Sequence, residues 1–357
     1  MKLTDKSQIR RKGELHMINV GILGATGYAG EELIDILLRH PFVRITNLSA
    51  KIEKALPISD IFPKFKGRID VVCKEPDIKE IIEKCDLAFL ALPHTVSMEV
   101  VPALLRANKA VIDLSADYRL KDVKIYEEFY KTKHKDRGHL AQAIYGLPEI
   151  YRAKIKNSRL IANPGCYPTV SILALAPLVA FNLIDLSSII IDAKSGVTGA
   201  GRKSAQEFFF SEINEDFRAY KINIHQHMPE INQELSNLAG KNIKVTFVPH
   251  LLPLNRGILA TIYINRIESL KSGKTQNLTT LYKKFYKNEP FVRIKEGTDY
   301  PKLKDVIKTN YCDIYINNNS DKIIIVSAID NLLKGAAGQA VQNMNIMYGF
   351  AEYTGLL

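Results

Sequence analysis

The absences in this 357-residue chain narrow its reading first. No apolar run is long enough to span a bilayer, which argues against a membrane protein. Residues 1–16 are basic and polar, and no apolar segment follows them as a secretory signal requires. Asp5 and Glu14 are out of place in a transit peptide. Residues 1–16 are therefore expected to be a disordered extension ahead of Met17. Cysteine is scarce: Cys73, Cys85, Cys166 and Cys312 are far apart. They form neither a disulfide framework nor a metal-binding spacing, as expected of a chain in a reducing cytoplasm. There is no internal repeat and no low-complexity linker, which excludes repeat arrays and tethered modules. The net charge is +11, but the lysines are spread along the chain rather than gathered in a patch. Nucleic acid is therefore not expected as a partner. A positive field of this kind favours small anionic ligands, and a merely basic proteome is the alternative reading.

What is present is an ordinary core-forming composition, 46% hydrophobic and 24% charged, over a length that suits two domains. Ile18–Leu23 is a short apolar run that reads as a buried parallel strand. Gly24-Ala25-Thr26-Gly27-Tyr28-Ala29-Gly30 follows, and then a helical pattern over 31–39. Strand, glycine turn and helix form the context of a dinucleotide fingerprint, in which a pyrophosphate rests on the helix N-terminus. The spacing is G-x-x-G-x-x-G rather than the commoner G-x-G-x-x-G, and a plain tight turn is the alternative. The next strand, 44–48, ends without the acid that would mark the ribose hydroxyl of NAD. Ser49 and Lys51 stand there instead, which suits the 2′-phosphate of NADP, though a solvated lysine loop reads similarly.

Further strands at 87–92 and 110–114 frame a helix at Ser97–Arg106, the alternation of a doubly wound parallel sheet. His94 and Arg119 fall at carboxyl ends of strands, where ligands sit in such sheets. His94 reads as a structural or cofactor-wall residue. Arg119 is placed to hold a phosphate or carboxylate by two prongs, or to make a local salt bridge. Residues 121–160 are charged and tyrosine-rich, and read as a surface excursion.

Ile161-Ala162-Asn163-Pro164-Gly165-Cys166-Tyr167-Pro168-Thr169 organises the rest. Pro164 and Gly165 turn the chain, and a helix pattern begins with Pro168 in its first turn. Cys166 is thus placed at a helix N-terminus, where free amides and the dipole favour a thiolate. That makes it a candidate nucleophile; a buried, inert thiol is the other reading. A strand at 188–193 leads into a glycine-rich loop closed by Arg202, either an anion cradle or a hairpin. His225 and His227 precede another helix. A third metal ligand is not evident, so the better reading is a general acid–base, with Glu230 able to orient it. Strands at 245–249 and 257–263, a surface helix in 269–288 and a hairpin turning at 318–321 follow. The closing helix, from Asp330 and Asn331 through Met344, is rich in small residues that allow close packing beside a cofactor.

Taken together, GATGYAG, LPHTVSME, VIDLSADYRL, NPGCYPT, SGVTGAGR, HQHMPEI, LLPLNRGIL and DNLLKGAAGQAVQNMN resemble, from Met17 to the C-terminus, the N-acetyl-gamma-glutamyl-phosphate reductase family. The resemblance implies an α/β fold of the glyceraldehyde-phosphate and aspartate-semialdehyde dehydrogenase type. A Rossmann domain would occupy 17–165, with residues 330–357 returning to it. An α+β mixed-sheet domain for catalysis and oligomerisation would occupy 166–329. It also implies Cys166 as nucleophile, His225 as base with His227 as the alternate, and Arg119, Arg202 and Glu230 facing substrate. NADP would lie on the 24–30 turn, Ser49, Lys51 and Asn331. The family usually shows His-Arg-His, and Gln226 here removes that charge. The implied reaction is NADPH-dependent reduction of a small acyl phosphate in arginine synthesis, by a homo-oligomer, dimer or tetramer. Aminoadipyl-phosphate reduction in lysine synthesis and a non-catalytic NADP-binding regulator are the alternatives.

Overall fold

A computed structural model describes residues 17–202, 205–267, 277–318 and 322–357. The expected extension 1–16 lies outside the described residues. So do the start of the expected surface helix and most of the 318–321 turn.

The N-terminal sheet has eight strands: β1 (Ile18–Leu23), β2 (Val43–Ser49), β3 (Leu56–Pro57), β4 (Val72–Lys74), β5 (Leu87–Leu90), β6 (Ala110–Asp113), β7 (Ile144–Tyr145) and β8 (Leu160–Ala162). Their order is β3-β4-β2-β1-β5-β6-β8-β7. All pairs are parallel except β3 with β4. β5 and β6 are buried on both faces, as their unbroken apolar runs require. The strand order reverses at β1, whose neighbours are β2 and β5. The carboxyl ends of β1 and β5 therefore flank the crevice where doubly wound sheets bind ligands.

The second sheet has seven strands: β9 (Ile190–Gly196), β10 (Arg218–Ala219), β11 (Thr246–Leu252), β12 (Ile258–Asn265), β13 (Val292–Lys295), β14 (Cys312–Asn317) and β15 (Lys322–Ile329). The order is β10-β11-β9-β12-β15-β14-β13, and the sheet is mixed. Ile258, Ala260, Ile262 and Ile264 of β12 alternate inward, the period of a half-buried strand. They share a core with the helix Cys166–Ala180. That helix is buried on all sides from Tyr167 to Val179, as its lack of a polar face requires.

Three expectations change. Residues 121–160 are not merely a surface excursion: β7 joins the sheet, and Tyr126 and Tyr145 are buried, as is Tyr118 just before them. The hydroxyls of Tyr118, Tyr126 and Tyr145 donate to Asp136, Asp117 and Glu230, respectively, so tyrosine polarity is satisfied inside. The helix Leu278–Phe285 is anchored, its Tyr282 hydroxyl donating to Ala174 O at 2.6 Å. The closing segment opens with a π-helical turn, Leu333–Ala337, before the helix Gly338–Tyr348. That helix shares the core of the N-terminal sheet.

Candidate active site

The turn after β1 needs its glycines. Gly24 has φ +86°, and a Cβ there would lie 2.1 Å from Ala91 O. A Cβ on Gly30 would lie 2.3 Å from Gly24 O. The amides of Gly24 and Ala25 both donate to Ser49 O, tying the turn to the end of β2. Gly27 caps the helix Tyr28–Leu37 without a side-chain acceptor. The first-turn amides of Tyr28, Ala29 and Gly30 are thus left for an anion, and the cradle fits a dinucleotide pyrophosphate. At the adenosine end, Lys51 is exposed. Ser49 is not: its hydroxyl is buried and donates to Asn47 Oδ1 at 2.6 Å, so only its carbonyl serves the turn.

Cys166 is the first residue of its helix, and Gly165 is the N-cap. Among the four cysteines it alone is partly exposed. Its turn is held from every side. Asn163 O accepts Arg119 Nε–H at 2.7 Å, and Gly165 N–H donates to Glu230 Oε1 at 2.9 Å. A Cβ on Gly165 would meet His227 Nε2 at 2.6 Å and Arg119 Nη1 at 3.0 Å. A Cβ on Gly335 would meet Cys166 Cβ at 2.7 Å. The Cys166 turn is therefore bounded by an imidazole, a guanidinium and a glycine backbone.

The two histidines have different tasks. His225 Nδ1 accepts the His227 backbone N–H at 3.0 Å, which leaves its proton on Nε2, 3.4 Å from the Tyr220 hydroxyl. Its lone pair is spent on holding the chain. His227 Nε2 faces Gly165, and its buried Nδ1 has no hydrogen-bond partner among the described residues. The structure thus sets His227 Nε2 against the glycine that precedes the cysteine, with both rings packed on Tyr167.

The other residues expected to contact substrate or cofactor have these partners within the protein. Arg119 is buried and faces inward, donating to Asn163 O and Leu114 O, with Glu230 Oε2 3.4 Å from Nη1. Glu230 Oε1 accepts from Gly165 N–H and, at 2.7 Å, from the Tyr145 hydroxyl rather than from a histidine. Arg202 lies over the Tyr28 ring, 4.5 Å from its centroid, and pairs with Glu31 at 2.5 Å, on the cofactor helix. Asn331 accepts from Gly257 N and donates to Thr198 Oγ1, crosslinking loops of the second sheet.

Residues 19–158 match the family described as semialdehyde dehydrogenase, NAD binding domain. Residues 166–331 match semialdehyde dehydrogenase, dimerisation domain. An N-acetyl-gamma-glutamyl-phosphate reductase of Desulforamulus reducens is 48% identical over 342 residues, covering 95% of this chain and 98% of its own. One from Pelotomaculum thermopropionicum is 47% identical over 341 residues, covering 95% and 97%. The chain belongs to the N-acetyl-gamma-glutamyl-phosphate reductase family. In fold this reductase-family chain is similar to aspartate semialdehyde dehydrogenase II of Vibrio cholerae, with a TM-score of 0.68 at 17% identity, covering 93% of this chain and 98% of that one.

Electrostatics refines the reductase-family site. Burial pushes the Cys166 thiol up to about 11. The amides of Tyr167 and Cys166 and the charge of Arg119 pull the other way, and Glu230 raises it further. At this helix start, burial opposes the thiolate that the amides and the dipole favour. Burial likewise pushes His225 down to about 3, and His227 well below its ordinary value. Both rings are neutral, and a neutral imidazole accepts a proton. The sequence reading missed Tyr145, Tyr220, Asn163 and Gly335. Only the NPG and KGAAG wording touches two of them, and neither motif says which residue it will meet.

Proposed function

We propose that this chain reduces N-acetyl-L-glutamyl 5-phosphate to N-acetyl-L-glutamate 5-semialdehyde with NADPH, a step of arginine synthesis. The observation that carries the reading is Cys166 at a helix start, with His227 Nε2 against the preceding glycine. In support, relatives of that name align over nearly the whole chain. We place the cofactor unit at 17–165 with 330–357, and the catalytic unit at 166–329.

His227 takes the Cys166 proton as the thiol attacks the acyl carbon. Phosphate leaves with that proton, and a thioester remains on Cys166. The amides of Cys166 and Tyr167 face the developing oxyanion at the helix start. When bound, the nicotinamide supplies the hydride that reduces the thioester carbonyl. Collapse of the resulting adduct expels the aldehyde and frees the thiolate, which takes up a solvent proton. Arg119 and Glu230 hold the cysteine turn in register throughout.

The absence of an acid after β2 and the exposed Lys51 support NADP over NAD. The homo-oligomer and a cytoplasmic location belong to the same reading; no described helix is long and apolar enough to cross a membrane. The test runs the reaction backwards, from semialdehyde, phosphate and NADP. N-acetylglutamate semialdehyde should react at least about ten-fold faster than the aminoadipate analogue, a margin one methylene can supply. A reversed ranking contradicts the substrate, and NADH matching NADPH in kcat/KM contradicts the cofactor. Lys51→Glu should lower the NADPH preference.

A further inference from the structure

Lys334 is a fully buried cation that the reaction above does not use. It lies inside the π-helical turn Leu333–Ala337, whose wide bonds run from Gly335 N to Asp330 O and from Ala337 N to Leu332 O. Its Nζ donates to Glu149 Oε1 at 2.6 Å and to Gln342 Oε1 at 2.7 Å. Glu149 stands in the first turn of the helix Pro148–Ile155. The residue after Lys334 is Gly335, the one whose Cβ would strike Cys166 Cβ at 2.7 Å. The same turn is tied to the cysteine strand, because Ala336 O accepts Asn163 Nδ2–H at 3.1 Å.

Burying an ion pair is a poor way to gain stability, since apolar or neutral residues of similar shape serve as well. What the pair adds is direction. A π-turn is a rare and local conformation that needs outside contacts to hold it. Here the Lys334 ammonium, fixed between two oxygens, sets how far the turn advances, and the backbone of Gly335 is what reaches the nucleophile. We propose that the buried Lys334–Glu149 pair is a positioning device that presses the Gly335 turn against Cys166 and so fixes the thiol's place. It rests on Cys166 being the nucleophile. Lys334 touches no reacting atom, so it acts through Gly335.

The test uses the full chain and three variants: Gly335→Ala, Lys334→Met, and Lys334→Met with Glu149→Gln. The double variant removes both charges together, so no lone carboxylate is stranded inside. Melting curves establish which variants fold. The readouts are kcat, the KM for NADPH, and the rate of Cys166 alkylation by iodoacetamide against pH. The folded double variant and Gly335→Ala should lose about ten-fold or more in kcat, with NADPH KM within about two-fold, as misplacement of a reacting group does. The alkylation profile should shift in both. Wild-type kcat and an unchanged alkylation profile in the folded double variant would overturn the proposal. If neither Lys334 variant folds, Gly335→Ala decides alone by the same criteria. Wild-type protein alkylated at Cys166 but inactive on the acyl phosphate would instead fault the assigned reaction.

Discussion

A thiol at a buried helix start feels opposed pulls. First-turn amides and Arg119 favour the thiolate, and burial opposes it more strongly. Burial pushes the thiol up to about 11, so the proposed reaction draws its proton off through a base, and His227 Nε2 lies against that turn. His227→Gln should lower kcat by about a hundred-fold or more, the usual worth of a positioned base. His225→Gln should cost less, because its role is a hydrogen bond to the His227 backbone. Steady-state kinetics of both variants checks this, and the opposite ranking would make His225 the base. His225 also sets an acid limit. Its folded value, about 3, lies below the unfolded one, so the unfolded chain binds the proton first. Its contribution to stability is present above the unfolded value and is lost as pH falls through that value toward about 3. His225→Gln should flatten the fall in melting temperature across that window.

At the scale of elements, the strand–glycine–helix unit was legible because Gly24 and Gly30 have backbone reasons that no other residue meets. NPGCYPT gave the cysteine helix for a similar reason, a forced turn before an apolar run. The tyrosine-rich stretch was not legible. Tyr126 and Tyr145 read as surface by composition, yet each hydroxyl meets an acid, and the partner of Tyr145, Glu230, is 85 residues away. The partners of Arg202 were not legible either: its loop read as an anion cradle or a hairpin, and the side chain crosses to Tyr28 and Glu31 on the first helix. Arg202→Met should therefore raise the KM for NADPH several-fold and leave that for the acyl phosphate nearly unchanged. Initial-rate kinetics with each substrate varied checks this, and the reverse pattern would return Arg202 to the substrate.

At the scale of the molecule, the second sheet has a core face and an outer face. Its outer face shows Val248, Leu259, Tyr263, Ile324 and Val326 half-buried in the single chain. Apolar side chains gathered on one open sheet face mark an interaction surface. The family match over residues 166–331 is to a dimerisation domain. Pairing through this face is expected, and Tyr263→Glu with Val326→Lys should shift the protein toward monomer in light scattering. A variant of unchanged mass would move the interface elsewhere.

The central claim is that Cys166 carries the acyl group, and intact-protein mass spectrometry reads it directly. Protein mixed with N-acetylglutamyl phosphate, with no dinucleotide added, should gain the mass of one N-acetylglutamyl group. Peptide mapping should place it on Cys166, and NADPH should discharge it as semialdehyde. Cys166→Ala should gain nothing. An adduct that persists in Cys166→Ala, or turnover by that variant, would contradict the account.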